Sequence, residues 1–413
     1  MRILFLNFRN NPSSAVLRIS EVLLQEGCKV SILSYLSLVK KENIYQVKGI
    51  GYVLSSVLFF YDIFVTRYVY ANTGRLFSRN SILFSNLLSF IYTGFFKKFD
   101  LLHLHWVGHG FISSKFLRKI KNKKIVLTLH DYYFITGGCH IPGECKKYTK
   151  SCVNCPAQTK VFDLPFHNFK QKESLYKEKE IYATVPSKAM ADKVGESYLG
   201  TFFKEVLVVP NPIDTFTYKS ISLDLSQEQL FSKLPKDKKF ILFVSNNLID
   251  PNKGFDLLLA SLRIVKNLED ICLITIGNNS SQISDRIEFS HFHFGEITST
   301  EDMIKIYNLA YLTLVPSRFE SFSQVTVEAM ACGSPVIAFN SSGPSEIIIN
   351  DVTGFLVESF SVENYAEKID DIIKNENLRD SLSNESRKRV INQYSYEAIG
   401  KMMKDFYKKI LNE

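Results

Sequence analysis

The chain has 413 residues with a formal net charge of +8, and 46% of its residues are apolar and 22% charged. This is the composition of a globular protein, and it excludes a disordered or low-complexity chain. The length predicts about two or three domains. The most apolar stretch, residues 81–96, is shorter than the ~20 apolar residues of a membrane-spanning helix and is interrupted by Ser, Asn and Thr, which argues against such a helix.

Strand-like and helix-like segments alternate along the first part of the chain. The opening run RILFLNF is too short for the apolar core of a signal peptide and predicts a buried strand, which SAVLRISEVLLQEG follows as an amphipathic helix. The runs CKVSILSY, DLLHLHWV and KKIVLTLH predict further strands. Strands that alternate with helices in this way predict a doubly wound α/β domain with a parallel sheet.

Residues 49–98 combine many aromatic side chains with basic ones and a single acid, Asp62. Two interpretations are open: a surface that contacts anionic lipid at the edge of a membrane, or helices that pack within the domain. The basic residues are Arg67, Arg75, Arg79, Lys97 and Lys98.

A second α/β series begins at KKFILFVS and continues to SPVIAF. The segment before it is rich in Pro, Asn, Asp, Ser and Lys, which predicts a linker. We therefore expect one Rossmann-like domain over residues 1–211 and another over residues 212–395, facing each other across a cleft. Ligands of such sheets bind at the carboxyl ends of the strands, so this cleft is the expected active site.

Two glutamates stand seven residues apart in the second series. Glu320 follows the predicted strand YLTLVPS. The pair Ser321 and Gln324 fits a capping box, which would start a helix around Phe322. Glu328 then lies about two turns inside that helix. Carboxylates that accept hydrogen bonds from hydroxyls, beside a helix N-terminus that attracts phosphate, suit a nucleotide-sugar. The alternative is two glutamates without a ligand.

The region around these glutamates resembles the donor site of the family 4 retaining glycosyltransferases, whose motif is Glu, seven residues, Glu. The segments that carry the resemblance are VPSRFESFSQVTVEAMACGSPVIAFNSSGPSEIIINDVTGFLV, DPNKGFDLLLASL, VPSKAMADKV and VVPNPID. The resemblance covers nearly the whole chain and implies the GT-B fold, with a nucleoside-diphosphate sugar as the donor substrate.

The resemblance also implies roles for individual residues. Glu328 would bind the ribose hydroxyls, and Glu320 would contact the transferred sugar or lie beside its phosphates. Lys253 would hold the diphosphate and stabilise its developing charge. The predicted catalytic residues are His130, Lys253 and Glu320. The predicted donor-binding residues are Ser13, Ser14, Asn247, Lys253, Arg318, Glu320, Ser321, Phe322, Ser323 and Glu328.

The sequence departs from the family pattern at two places. The family usually has an Arg shortly before the Lys, where this chain has Asn246 and Asn247, and we expect Arg318 to supply the missing charge. After the first strand the family often has two glycines, where this chain has Ser13 and Ser14 as the candidate hydrogen-bond donors.

Histidines follow two predicted strands of the first domain. His103 and His105 lie on one face of a strand, and His130 and Asp131 end the next one. The resemblance places His130 near the donor sugar and the acceptor. We assign His103, His105 and Asp131 to the acceptor side, with a packing role as the alternative for the two histidines.

Cys139, Cys145, Cys152 and Cys155 lie within seventeen residues directly after His130. Four thiolates meet the tetrahedral demand of a structural zinc ion, with His140 as a spare ligand. Redox-active thiols and disulfides are the alternatives, although nothing marks the chain as secreted.

These observations predict a cytoplasmic retaining hexosyltransferase, located at the inner face of the cell membrane, that acts on a saccharide or lipid-linked acceptor of a bacterial surface glycan. The chain has no Asp-x-Asp motif, so we expect no catalytic metal, and its spread of basic charge predicts no nucleic-acid partner. The alternatives are a non-catalytic partner in a glycan-assembly complex and a zinc-containing nucleic-acid-binding protein. By resemblance, the terminal helix over residues 396–413 crosses back to the first domain.

Overall fold

A computed structural model of the chain describes residues 1–11, 14–48, 94–108, 111–158, 163–224, 228–283 and 286–412, with a few short stretches between residues 52 and 64. Ser13, Arg67, Arg75 and Arg79 lie outside the described residues. The chain forms two compact units, one made of Met1–Pro210 with Gly400–Glu413 and the other of Asn211–Ile399.

The strands described in the first unit form one parallel sheet in the order β3-β2-β1-β4-β5-β6-β7. The strands are β1 (Arg2–Asn10), β2 (Lys29–Ser37), β3 (Ile44–Gln46), β4 (Leu101–Leu104), β5 (Lys124–Thr128), β6 (Ile181–Val185) and β7 (Phe203–Val208). The helices that accompany them are Ala15–Gln25, Ser114–Lys119, Leu164–Glu178, Lys188–Glu196 and Tyr396–Asn412.

The second unit contains a parallel sheet in the order β10-β9-β8-β11-β12-β13. Its strands are β8 (Lys239–Asn247), β9 (Ile271–Asn278), β10 (His291–Gly295), β11 (Leu312–Val315), β12 (Val336–Phe339) and β13 (Phe355–Val357). Its helices are Phe255–Leu262, Thr300–Leu309, Gln324–Ala331, Ser342–Ile347, Val362–Lys374 and Glu376–Tyr394.

Helices cover both faces of the second sheet, and this explains why its strands are continuously apolar. Every residue of β11 and of β12 is buried. Two separate apolar clusters flank the sheet, one around Tyr307 and Met330 and the other around Phe243 and Tyr365. Strands buried on both faces are typical of parallel sheets between helix layers. The two sheets confirm the predicted pair of doubly wound α/β domains.

The strand order of each sheet reverses direction at one point, and ligands of doubly wound sheets bind there, beyond the carboxyl ends of the strands. In the first unit the reversal lies between β1 and β4, and in the second it lies between β8 and β11. These two edges therefore position the candidate sites.

The helix Tyr396–Asn412 belongs to the first unit from Gly400 onward. Lys404 Nζ lies 3.1 Å from Glu26 Oε2, and Lys409 Nζ lies 2.6 Å from Glu205 Oε2. Tyr407 is fully buried there. Within the described ranges, no helix is both long enough and apolar enough to cross a membrane.

Candidate functional site

The turn after β8 brings its backbone against the chain that leaves β11. Asp250 Oδ1 accepts a hydrogen bond from Asn252 N at 2.9 Å, which closes a short turn over Pro251–Lys253. Gly254 follows with a φ of +70°, and a Cβ at this position would lie 2.0 Å from Pro316 O. Only glycine combines this backbone conformation with so close an approach.

Two further hydrogen bonds hold the same loops together. Asn252 Nδ2 donates to Phe319 O at 2.8 Å, and Arg318 N donates to Asn252 O at 2.8 Å. The sequence Asn252-Lys253-Gly254 thus acts as a clamp between the turn after β8 and the loop after β11. The position of Lys253 follows from this clamp.

Lys253 and Glu320 form an ion pair at the reversal point. Lys253 Nζ lies 2.7 Å from Glu320 Oε1, which also accepts a hydrogen bond from Ser317 Oγ at 2.9 Å. Burial by itself would lower the pKa of Lys253, but the neighbouring Glu320 carboxylate outweighs it and raises the pKa above its usual value. Lys253 is therefore charged throughout the physiological pH range.

Arg318, which the sequence suggested as a replacement phosphate ligand, makes a bidentate pair instead. Its two terminal nitrogens lie 2.9 and 2.7 Å from the two carboxylate oxygens of Asp256, and one of them also donates to Pro251 O. The guanidinium therefore braces the same turn. Its role in binding the donor stays a prediction.

The helix after Glu320 begins later than predicted. Its first residue is Gln324 and its N-cap is Ser323, which has a φ of +92° and whose hydroxyl contacts Thr326 Oγ1 at 2.8 Å. The predicted capping box between Ser321 and Gln324 is therefore wrong.

The cause is a close backbone contact with the helix Ser342–Ile347. Gly343 N donates to Glu320 O at 2.9 Å, and a Cβ on Gly343 would lie 2.0 Å from Phe322 O. The Phe322 side chain is buried against Tyr394, and its carbonyl oxygen faces Gly343, so its role in binding the donor stays a prediction.

Glu328 occupies a different environment from Glu320. It is buried inside the helix Gln324–Ala331, and its Oε2 accepts a hydrogen bond from Tyr307 Oη at 3.0 Å. Burial and this carboxylate together raise the pKa of Tyr307 far above its usual value, so the phenol is always a donor. Tyr307, in the helix Thr300–Leu309, is not among the residues that the sequence patterns identified.

The remaining predicted donor-site residues take local roles. Asn247 Oδ1 accepts hydrogen bonds from Ile249 N and from Asn279 Nδ2, so this side chain shapes the turn after β8. Ser14 is the N-cap of the helix Ala15–Gln25, which begins after β1. Binding of the donor by either residue stays a prediction.

The structure brings the three predicted histidines of the first unit together. His103 and His105 stack with ring centroids 4.2 Å apart, and His105 stacks on His130 at 5.3 Å. Burial lowers the pKa of each ring, that of His130 to about 4, so all three are neutral at pH 7. His103 bonds to Tyr407 Oη and Thr128 Oγ1, which is a packing role.

Asp131 has its own partners beside His130. Its Oδ1 accepts a hydrogen bond from Tyr133 N, and its Oδ2 lies 2.7 Å from His140 Nδ1. Burial would raise the pKa of Asp131, but His140 and the backbone N–H outweigh it and keep the carboxyl ionised. Sequence reasoning had named His140 only as a spare zinc ligand.

A buried lysine, Lys172, lies near the same carboxylate. Its ammonium donates to Tyr133 O and Thr136 O and lies 3.7 Å from the centre of the Tyr133 ring. Burial lowers its pKa to about 7. Sequence reasoning missed Lys172, because nothing distinguishes it from the other lysines of its helix.

The four cysteines line one pocket, and none of them forms a disulfide bond in the described part of the chain. Cys152 Sγ accepts a hydrogen bond from Gly137 N at 3.3 Å, while Cys139 and Cys155 pack against Ala157 and Leu164. Among the residues that the structure describes, no three Cys, His, Asp or Glu side chains are placed to hold one metal ion. The predicted zinc arrangement is therefore not formed in this structure.

Comparisons with known proteins add a family and a fold. Residues 226–389 match the family described as Glycosyl transferases group 1. The chain is 30% identical over 205 residues to the capsular polysaccharide biosynthesis glycosyltransferase CapM of Staphylococcus aureus, a match that covers 48% of this chain and 53% of that protein. The chain thus spans about half the length of this curated relative.

Solved structures match along the full chain. Sucrose-phosphate synthase from Thermosynechococcus elongatus has a TM-score of 0.72 and 17% identity, with 100% of this chain and 99% of that one covered. Anabaena HepE in complex with UDP-glucose has a TM-score of 0.65 and 15% identity, with 99% and 100% covered. At these identities the likeness shows the fold alone.

The clamp at Gly254 can be tested by adding one methyl group. We expect Gly254→Ala to lower the free energy of unfolding by roughly 1–3 kcal/mol, because alanine is strained at this φ and its Cβ meets Pro316 O. Gly195→Ala is the control, since a Cβ there has no neighbour within 4 Å. Urea unfolding of both variants measures the difference, and an unchanged stability for Gly254→Ala would contradict the clamp.

Proposed function

We propose that the chain, which matches the family Glycosyl transferases group 1 over residues 226–389 and has the GT-B fold, is a retaining hexosyltransferase. It takes a sugar from a nucleoside-diphosphate sugar and transfers it to a saccharide or lipid-linked acceptor during synthesis of a bacterial surface glycan. The relation to a capsular polysaccharide enzyme and the likeness to a UDP-glucose complex support this proposal. The single observation that carries it is the Lys253–Glu320 ion pair at the reversal point of the second sheet.

The ion pair has the charges that a nucleotide-sugar needs. A diphosphate is an anion, and a lysine ammonium held beside a helix N-terminus offers it two attractive partners. When the diphosphate takes the ammonium, Glu320 can accept hydrogen bonds from sugar hydroxyls instead. The clamp around Gly254 holds Lys253 in place before the donor arrives, so little reorganisation is needed.

Glu328 is suited to the nucleoside end of the donor. It lies eight residues after Glu320 in the helix Gln324–Ala331, and its Oε2 accepts a hydrogen bond of 3.0 Å from Tyr307 Oη. A carboxylate accepts hydrogen bonds at about four lone-pair positions, and a ribose offers two hydroxyl donors. Tyr307 fixes the rotamer of the carboxylate from the core side.

The transfer itself breaks the bond between the sugar C1 and the phosphate oxygen and forms a bond between C1 and the acceptor oxygen on the same face. The acceptor hydroxyl gives its proton to the departing phosphate oxygen. Lys253 stabilises the negative charge that grows on that phosphate. We propose that His130 also hydrogen-bonds the donor during this transfer.

The donor site can be tested by binding and by turnover. We expect UDP, GDP or ADP sugars, but only one base class, to raise the thermal midpoint of the protein. Lys253→Gln should lose this rise and lower kcat by on the order of 10²-fold, because the leaving charge loses its counter-ion. Lys236→Gln, an exposed lysine of the same unit, is the matched control.

Two outcomes would contradict the proposal. Folded protein that responds to none of these nucleotides would favour the alternative of a non-catalytic partner in a glycan-assembly complex. A product whose anomeric configuration is opposite to that of the donor, read by proton NMR of the first turnover, would exclude retention.

We also propose a structural zinc ion for the cysteine loop. All four thiols line the same pocket, which supports it, although an ion would have to draw them closer together. Metal analysis of protein purified without chelator should give one zinc per chain, and Cys145→Ser with Cys155→Ser should lose it. Cys272→Ser, a buried cysteine of the other unit, is the control, and metal-free wild-type protein would contradict the ion.

A peripheral contact with the inner face of the cell membrane is a further part of the proposal. Val57 and Phe60 are 59% and 67% exposed although apolar, and Lys97 and Lys98 are exposed in the same unit. Exposed apolar and basic side chains on one unit suit an anionic lipid surface.

Sedimentation with vesicles tests this contact. We expect the protein to bind vesicles that contain anionic lipid and not purely zwitterionic ones, and Val57→Ser with Phe60→Ser to weaken binding. Phe216→Ser is the control, because Phe216 is an exposed aromatic residue of the second unit. Equal binding by both variants would contradict a contact at this segment.

A further inference from the structure

The stacked imidazoles of the first unit contain one shared hydrogen bond whose direction matters for the proposed reaction. His105 Nδ1 lies 3.0 Å from His130 Nε2, so a single proton lies between two ring nitrogens. Both rings are neutral, and a neutral imidazole carries one N–H donor and one bare acceptor nitrogen. Whichever ring supplies the shared proton determines which nitrogen of His130 carries its own proton.

The other nitrogen of His105 decides between the two arrangements. His105 Nε2 is buried and has no hydrogen-bond partner among the residues that the structure describes. The Phe5 ring packs against the same imidazole, with the two ring centroids 4.6 Å apart. A buried N–H without an acceptor is rarer in proteins than a buried lone pair without a donor, so Nε2 is the bare nitrogen.

The protonation of His105 determines the tautomer of His130. If His105 Nε2 is bare, His105 Nδ1 carries the proton and donates it to His130 Nε2. His130 Nε2 is then an acceptor, and the proton of the neutral His130 ring is on Nδ1. Within the described ranges, His130 Nδ1 forms no hydrogen bond, and the residue is partly exposed at the end of β5.

We propose that His105 is a positioning residue that holds His130 in the Nδ1–H form, so that His130 acts as a hydrogen-bond donor to a ligand oxygen. The inference rests on the proposed function for the identity of that ligand, a nucleotide-sugar whose sugar hydroxyl and phosphate oxygens are both acceptors. His130 is then not the base that removes the acceptor proton. This agrees with a transfer in which the leaving phosphate takes that proton.

His103 differs from His105 in this respect. Both of its nitrogens have partners, Tyr407 Oη and Thr128 Oγ1, and Thr128 Oγ1 also contacts Thr184 Oγ1 at 2.7 Å. Hydroxyls can donate or accept, so this chain accommodates either tautomer of His103. His103 therefore supports His105 by stacking and does not determine the protonation of His130.

Nitrogen-15 NMR of protein labelled in histidine tests the inference without any ligand. At pH 7 we expect His130, identified by loss of its signals in His130→Gln, to show a protonated Nδ1 and a bare Nε2. His105→Asn should keep this pattern, because an asparagine amide can donate from nearly the same position as Nδ1–H. His105→Leu should lose it while keeping its stability, because leucine removes the donor and also the unsatisfied nitrogen.

Kinetics give the second readout. We expect His105→Leu to lower kcat by on the order of ten-fold, the value of about one neutral hydrogen bond, and His105→Asn to restore most of the activity. A His130 ring with its proton on Nε2 in the wild-type protein, or equal kcat values for the two variants, would overturn the inference. The NMR result needs no turnover, so a correct tautomer in a protein that transfers no sugar would overturn the proposed function alone.

Discussion

The close approach of two backbones at Gly254 and Pro316 is the constraint on which the candidate site of the second unit depends. Strands β8 and β11 are neighbours in the sheet although they are far apart in the chain, so the segments that follow them leave the same edge side by side. A glycine in the left-handed region lets one segment turn directly against the other. The clamp formed by Asn252 then sets the distance between the lysine and the glutamate that the two segments carry.

Burial has opposite outcomes for the charge of Lys253 in the second unit and for that of the three histidines in the first unit. In the second unit, Lys253 is kept charged because a carboxylate lies beside it, and the cost of removing water from the ammonium is offset by that attraction. In the first unit, burial lowers the pKa of three imidazoles, and the Asp131 carboxylate beside His130 does not compensate for this burial. Asp131 stands next to this cluster, but His140 and a backbone N–H hold its charge. Lys253 thus offers a fixed positive charge, whereas the histidine cluster offers neutral hydrogen-bonding groups.

Predictions from short sequence patterns failed where a distant backbone intervened. The pair Ser321 and Gln324 has the spacing of a capping box, yet the helix starts two residues later than that pattern predicts. The reason is a close backbone contact between Gly343 and Phe322 O, which the local pattern does not include. Arg318 shows a similar long-range contact through side chains, because Asp256, 62 residues earlier in the chain, forms a bidentate pair with its guanidinium, while its role in donor binding stays a prediction. Local spacing contains no information on either contact.

The sequence by itself determined the two doubly wound sheets and the residue types at their carboxyl ends, because burial on both faces of a strand requires a continuous apolar run that is visible in the chain. It also identified Lys253, Glu320, Glu328 and the three histidines as candidates. Only the tertiary structure decided their partners: that Lys253 meets Glu320, that Tyr307 holds Glu328, and that His105 lies against His130. These pairings join segments that are 67, 21 and 25 residues apart. Hydrogen bonds and ion pairs act over a few ångströms in space, and only the packing of the sheets brings such segments within that distance.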